Sequence, residues 1–522
     1  MEKGGERQEI SRRLDENLDA LRLRLGIGAT FDILEREITV GGRRAALIFV
    51  DGFVKDKVTL DVVAALQRMG RAEMAPGGVK KLLAEAIPYF EVDTALTIDD
   101  VVEQVLSGPM AVLIDGEREA IVVDVREYPV RGIQEPDLER VTRGSHEGFV
   151  ETMIFNTAMI RRRLRDPELR FEVVSVGKRS KTDVAIGYIR DIADPKLVAE
   201  VKRRIEEATI DALPMGAKNL EEIVVREPWN PIPRVRYTER PDVAAAHLLE
   251  GHVAILVDTT PMAMIAPVTA FHFFQHAEEF FQLPFIGTYL RWIRALAFVL
   301  ATVLAPAWLA LYLTGPEHLP PFLSFIGTKE GDTAVAVPLQ FFLLEIGIDL
   351  IRMALIHTPS ALATSLGIVG AILLGELAVE VGLFIPEAIL YTSVAAIGYF
   401  AVPSVEFGYA LRLFRFLLLA LATAFKLPGV LAGLVLGFAL LATSKSITTP
   451  FLWPLIPFDG PNLVKALFRL PAPAVGRRPR ILSSGSGDAT RLSHGSQGGR
   501  RREAGGGAAR GRAGGRRGGG HR

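Results

Sequence analysis

The sequence predicts an α/β two-subdomain cytoplasmic head followed by an all-α polytopic membrane domain. Three observations predict it: ionic residues are segregated along the chain, two strand-like strings recur in the first half, and apolar segments of spanning length follow residue 285. At 522 residues the chain is too long for one ordinary domain. Its 60 basic and 60 acidic residues cancel to a formal net charge of zero, but the cancellation is between regions. Residues 1–285 are densely charged, 292–456 carry few ionic groups, and 477–522 hold twelve Arg against Asp488 and Glu503.

In chain order, residues 6–26 read as an amphipathic helix, with Ile10, Leu14, Leu18, Leu21 and Leu25 at spacings of three and four. This N-terminus lacks the apolar core of a secretory signal, so the head is expected to stay cytoplasmic. Residues 1–30 precede a first α/β subdomain, 31–136. In it ALIFVDGFV (46–54) is a strand-like run and VTLDVVAALQRM is helical; AVLID and EAIVVDV form a hairpin across Asp115-Gly116. A second subdomain, 137–285, is predicted by repetition. Residues 108–115 are echoed by 251–258 at an offset of 143, and 46–58 by 185–197 at an offset of 139. Between the echoes, 143–167 reads as a helix with Phe149, Met153, Ile154, Ala158, Ile160 and Leu164 on its apolar face. Arg161, Arg162, Arg163 and Arg165 then read as a solvated helix end, where cations complement the dipole.

The membrane domain is expected over 286–456, in five to six segments. Trp292–Leu313 is of spanning length with one charge, Arg294, and with Trp292, Trp308 and Tyr312 near its ends. Thr333–Ile356, Ala361–Phe384 and Ala388–Val405 follow. Leu413–Ala424 and Val430–Thr443 are short, and read equally as two tilted spans or one re-entrant hairpin. Arg291, Arg294, Arg352, Arg412, Arg415 and Lys445 fall on one side of alternating spans, which orients head and C-terminus to the cytoplasm. Residues 457–482 form a cytoplasmic C-terminal segment.

Candidate chemistry is sparse. No cysteine is present, which excludes disulfides and thiolates, and no phosphate-loop, dinucleotide, zinc-protease or nucleophile-elbow motif occurs. An enzyme is therefore not expected, and no cofactor or metal is assigned. His272 and His276 have metal-ligand spacing, but an aromatic-rich interfacial helix accounts better for FHFFQHAEEFF. The informative residues are charges inside apolar segments. Glu345, Asp349 and Arg352 share one helical face, and Glu376 and Glu380 repeat the four-residue spacing on the next segment. An ionisable group at bilayer depth costs about 2.5–3.5 kcal/mol on insertion scales, so it faces a cavity, a partner or a pore. Two readings are open for these five: the polar lining of a cation path, or an internal ion-pair network. Gly367, Gly370, Gly375 and Gly382 allow the close helix packing that both need.

Several strings together resemble the GerA family of spore germination proteins: FVDGFVKDK, GFVETMIFNTAMIRRRLRDP, VGKRSKTDVAIGYIRDIADP, HTPSALATSLGIVGAILLGELAVEVGLFIPE, FGYALRLFR and PFLWPLIPFDGPNLVKALFR. The resemblance spans about residues 30–482. It implies a multi-pass protein of the spore inner membrane that homo-oligomerises into a channel for monovalent cations. Membrane lipid, a small membrane partner and germinant-receptor components are the implied partners, with no specific nucleic acid. A membrane-anchored scaffold without conductance is the alternative reading. After Leu482 the chain departs from the family. Residues 483–522, with fourteen Gly and almost no apolar side chain, are expected to be disordered; they read as an electrostatic tail or as an out-of-frame extension.

Overall fold

The computed structural model describes residues 7–70, 92–126, 135–136, 139–227, 229–318, 320, 333–357, 367, 370, 377–471, 474, 478–479 and 481–482. The 483–522 tail, Gly375 and most of the expected 361–384 segment lie outside them.

The first unit runs α1 (Leu14–Leu25), β1 (Ile33–Val40), β2 (Arg43–Val50), α2 (Asp56–Arg68), β3 (Val92–Ala95), α3 (Ile98–Ser107), β4 (Met110–Ile114) and β5 (Ala120–Val123). The second runs α4 (Met153–Arg163), β6 (Leu169–Val176), β7 (Thr182–Ile189), α5 (Pro195–Glu206), α6 (Ala217–Val225), β8 (Arg236–Thr238), α7 (Pro241–Glu250), β9 (Val253–Val257) and β10 (Ala263–Ala266). Each builds one five-stranded sheet, ordered β1-β2-β4-β5-β3 and β6-β7-β9-β10-β8, with antiparallel neighbours. Strands β4, β5, β9 and β10 are buried along their whole length because helices cover both sheet faces. Leu14, Leu18, Leu21 and Leu25 of α1 pack with Val101 and Val105 of α3 on one face of the first sheet, and Val62 and Leu66 of α2 pack on the other.

The echoed strings fall on equivalent strands. Ala46 of β2 pairs with Leu113 of β4, and Ala185 of β7 pairs with Leu256 of β9, respectively 139 and 143 residues on. Polar contacts repeat with them. Asp115 Oδ1 accepts from Leu14 N at 3.0 Å, as Asp258 Oδ1 accepts from Met153 N at 3.1 Å. Asn17 brackets Ser11 through both amide atoms, as Asn156 brackets Val150. Apolar strands that merely looked alike would not reproduce these side-chain bonds.

Two head expectations are corrected. α1 starts at Leu14, because Glu9 bridges to Thr97 in extended form and Ile10 N donates to Leu96 O. α4 covers only Met153–Arg163, and Phe149 lies before it. Its end is not solvated as a whole: Arg161 is fully buried against Asp32, donating from Nη2 at 3.0 Å and to Leu169 O at 3.1 Å. α4 is wedged between the units, with Ala158 in the first core and Met159 and Ile160 in the second.

Beyond β10 a 3₁₀ turn (Ala270–Phe273) and the short α8 (Ala277–Phe281) lead to α9 (Pro284–Thr314), which contains a π-helical turn at Leu300–Leu304. Then come α10 (Val337–His357), α11 (Pro386–Phe400), α12 (Val405–Thr443) and α13 (Gly460–Leu467). α9 and α12 are long and apolar enough to cross a membrane, and both are mostly unburied within the chain, unlike the core helix of a soluble protein. α12 reverses at Lys426, whose φ of 51° and ψ of −139° are non-helical. Its two arms lie side by side: a Cβ on Gly433 would meet Leu418 at 2.5 Å, and one on Gly437 would meet Phe414 at 2.4 Å. Lys-Leu-Pro-Gly (426–429) is therefore the tip of an antiparallel helical hairpin.

Candidate functional site

The charges inside the apolar helices converge. Glu345, Asp349 and Arg352 lie on successive turns of α10, so they share a face. α12 brings Arg412 and Arg415 to that face. Glu345 is 0 % exposed; its Oε2 lies 2.5 Å from Arg415 Nη2 and 3.2 Å from Arg412 Nη2. Arg412 also reaches Asp349 at 2.7 Å and donates to Glu345 O at 2.6 Å. Arg352 closes the chain on Asp349 at 2.6 Å, its guanidinium 4.9 Å from the Tyr399 ring centre and 4.7 Å from that of Tyr409.

The π turn in α9 completes the site. Pro306, just after the π turn, has no N–H to donate to the preceding turn, and Ala301 O accepts from Arg415 Nη1 at 2.6 Å. α11 can approach because Gly398 faces the turn; a Cβ there would sit 2.5 Å from Ala297 O. Four helices thus meet on three guanidinium groups and two carboxylates. Removing one partner of such a buried pair costs about 3–5 kcal/mol, because the other charge is left uncompensated. Glu345 Oε1 and the Nε atoms of Arg352, Arg412 and Arg415 have no hydrogen-bond partner among the described atoms.

Of the five predicted residues, Glu345, Asp349 and Arg352 therefore meet in one network. Glu380 does not join it: it ends a single helical turn, Ala378–Glu380, and is exposed. Glu376 lies outside the described residues. Reading Arg412 and Arg415 as flanking charges before a span is corrected, since α12 begins at Val405 and carries both two turns deep into the apolar packing. The capping pattern Ser404-Val-Glu-Phe was the available signal, and Ser404 Oγ accepts from Phe407 N at 3.3 Å.

A second cluster joins the head to α9. Glu279 is fully buried and binds Arg291 at 2.7 Å and Arg294. Arg291 Nη1 donates to Lys465 O and Ala466 O at 2.9 Å each, and Trp292 Nε1 to Leu467 O at 3.0 Å, which docks α13 on the start of α9. Of the basic residues used to orient the spans, Arg291 and Arg294 thus pair with Glu279, and Arg412 and Arg415 with Glu345. The aromatic segment before α9 is not one interfacial helix. Thr269 caps the 3₁₀ turn, His276 caps α8 by accepting from Glu278 N, and the break between them points His272 and His276 apart from a common helix face.

A cavity of about 450 Å³ lies at this joint, lined by His276, Arg294, Arg352, Tyr399, Pro403 and Tyr409 among others.

Residues 21–481 match the family of the Bacillus/Clostridium GerA spore germination protein. The chain is 42% identical over 477 residues to stage V sporulation protein AF of Bacillus subtilis (strain 168), covering 91% of this chain and 96% of that one. It is 31% identical over 463 residues to spore germination protein GerLA of Bacillus cereus, covering 88% and 94%. Among solved structures, the N-terminal domain of the A subunit of the Bacillus megaterium germinant receptor GerK3 aligns over 50% of this chain and 98% of that chain, at 26% identity and a TM-score of 0.39. The chain belongs to the GerA family of spore germination proteins.

Proposed function

We propose that the protein is a multi-pass subunit of an oligomeric, cation-conducting assembly acting in spore germination, with residues 286–456 in the spore inner membrane. In this reading the head units 31–136 and 137–285 and the segment 457–482 are cytoplasmic. A small membrane protein and receptor components are the partners, and the chain is not an enzyme. Family membership supports the germination role. The membrane reading is carried by one observation: the helical region encloses its charges and turns large apolar side chains outward. Leu350 is 62 %, Ile397 70 % and Phe400 70 % exposed, while Glu345, Arg412 and Arg415 are buried. A water-soluble bundle inverts that order.

The network closes on Glu345 from both sides, so we assign Glu345, Asp349 and Arg352 to holding the helices together, and leave a cation path to surfaces between copies, where Glu380 is one exposed acid. That same closure favours the second reading, a membrane-anchored scaffold without its own conductance. Reconstitution into vesicles loaded with a potassium-sensitive dye decides between them. Conduction predicts potassium efflux that Glu380→Gln reduces; intact, oligomeric, membrane-inserted protein with no flux alone or with its partner leaves the scaffold.

A further inference from the structure

Three histidines from separate elements meet beneath the joint between head and α9. α7 ends at Glu250, and Gly251 at φ 101° turns the chain so that His252 enters β9 fully buried. The His252 and His272 ring centres lie 5.0 Å apart, and His247 stands 5.1 Å from His252. His252 Nδ1 is 2.6 Å from Pro267 O, which must accept, so Nδ1 carries the proton and Nε2 presents a lone pair. That Nε2 has no hydrogen-bond partner among the described atoms, and the atom facing it, 3.9 Å away, is Glu250 Oε2. A lone pair and a carboxylate oxygen are both acceptors. With the carboxyl ionised the two repel, and a cation between them relieves this, in competition with the proton that partial burial of Glu250 favours.

The geometry points to a divalent transition-metal site formed by Glu250, His252 and His272, whose ligand atoms lie within 4.8 Å of one another. Two imidazoles and a carboxylate suit Zn²⁺ or Co²⁺, with a water or a further group as the fourth ligand. Bonds of about 2.0–2.1 Å require ligand atoms roughly 3.4 Å apart. The half-exposed Glu250 side chain can shift to shorten its 3.9 Å separation from His252 Nε2. The bond from His252 Nδ1 to a backbone carbonyl is the outer support that metal-bound imidazoles use. His272 contributes Nε2: its Nδ1 accepts from Thr269 N and lies 3.0 Å from Thr269 Oγ1, so ligation exchanges the first contact for donation to the hydroxyl. Burial holds His252 down at about 4 and His247 and His272 well below the ordinary imidazole value, which keeps the rings neutral and able to bind.

The position gives the ion a consequence. Glu250 and His272 line a cavity of about 150 Å³ with Arg291 of α9, Trp453, and Asn462 and Lys465 of α13. A bound ion ties the end of α7 to the turn leading into the first apolar helix. Lys465 faces the same carboxylate and is the competitor for it.

The test uses the full chain in detergent, stripped with chelator and titrated with Co²⁺ while visible absorption and bound metal are read. We expect one Co²⁺ per chain, with the strong bands of low coordination, displaced by Zn²⁺. Glu250→Gln, at a half-exposed position, should weaken binding at least tenfold while leaving the metal-free melting temperature unchanged; His252→Gln should abolish it. No stoichiometric binding overturns the proposal, as does binding unchanged in both variants. Binding that appears only in Lys465→Met also overturns it, because the ammonium is then the resident cation. None of these outcomes depends on ion conduction, so the failure of this site and of the channel reading are separate results.

Discussion

Buried ion pairs hold both halves of the molecule, but the surroundings are inverted. In the head, Arg161 and Asp32 sit among apolar side chains at the seam between the units, while Arg22–Glu35, Arg44–Glu37 and Arg203–Glu200 pair on the outside. Around Glu345 the same kind of pair is enclosed, yet the outward faces of α9, α10, α11 and α12 are leucine, isoleucine and phenylalanine. The comparison teaches that burial of charge does not by itself distinguish a soluble core from a bilayer helix. What distinguishes them is the chemistry of the opposite face.

The largest expected effects come from orphaning these charges. Arg161→Met leaves Asp32 unpaired at the seam and should cost about 3–5 kcal/mol, read as a lower melting temperature of the chain; Arg161→Met with Asp32→Leu should recover most of it. Glu345→Leu leaves Arg415 without a carboxylate and Arg412 with Asp349 alone, and should cost a similar amount; retained stability there would break the parallel between the two halves. Next in size is a matched pair of surface changes. Leu350→Arg in α10 should cost about 2.5–3.5 kcal/mol of insertion and deplete the membrane fraction. Leu60→Arg in α2, at an equally exposed head position, should stay within about 0.5 kcal/mol. Equal effects at the two sites would remove the bilayer from the account. The smallest test sharpens the head alone: Asp115→Ala and Asp258→Ala each delete the bond that starts a helix, and each should cost about 1 kcal/mol. A large difference between them would mean that the repeated units do not share their energetics.

The duplicated sheets were legible because strand strings ending in Asp recur at nearly one offset, and those aspartates hold the helices α1 and α4. Three of the five candidate residues were legible because an acid inside an apolar helix must be answered by something. What answers it was not. Arg412 and Arg415 lie some 70 residues from Glu345, and Ala301 O, in the turn that Pro306 ends, lies 114 residues from Arg415.

The sequence by itself determined the family, the apolar segments and the doubled α/β pattern, because these depend on local periodicity and composition. Only the tertiary structure decided which charges are partners, that Arg161 is buried, and that His272 meets His252 and His247 rather than His276. Each of these is a contact between residues far apart in the chain, or a break in a helix, and helical spacing carries no information about either.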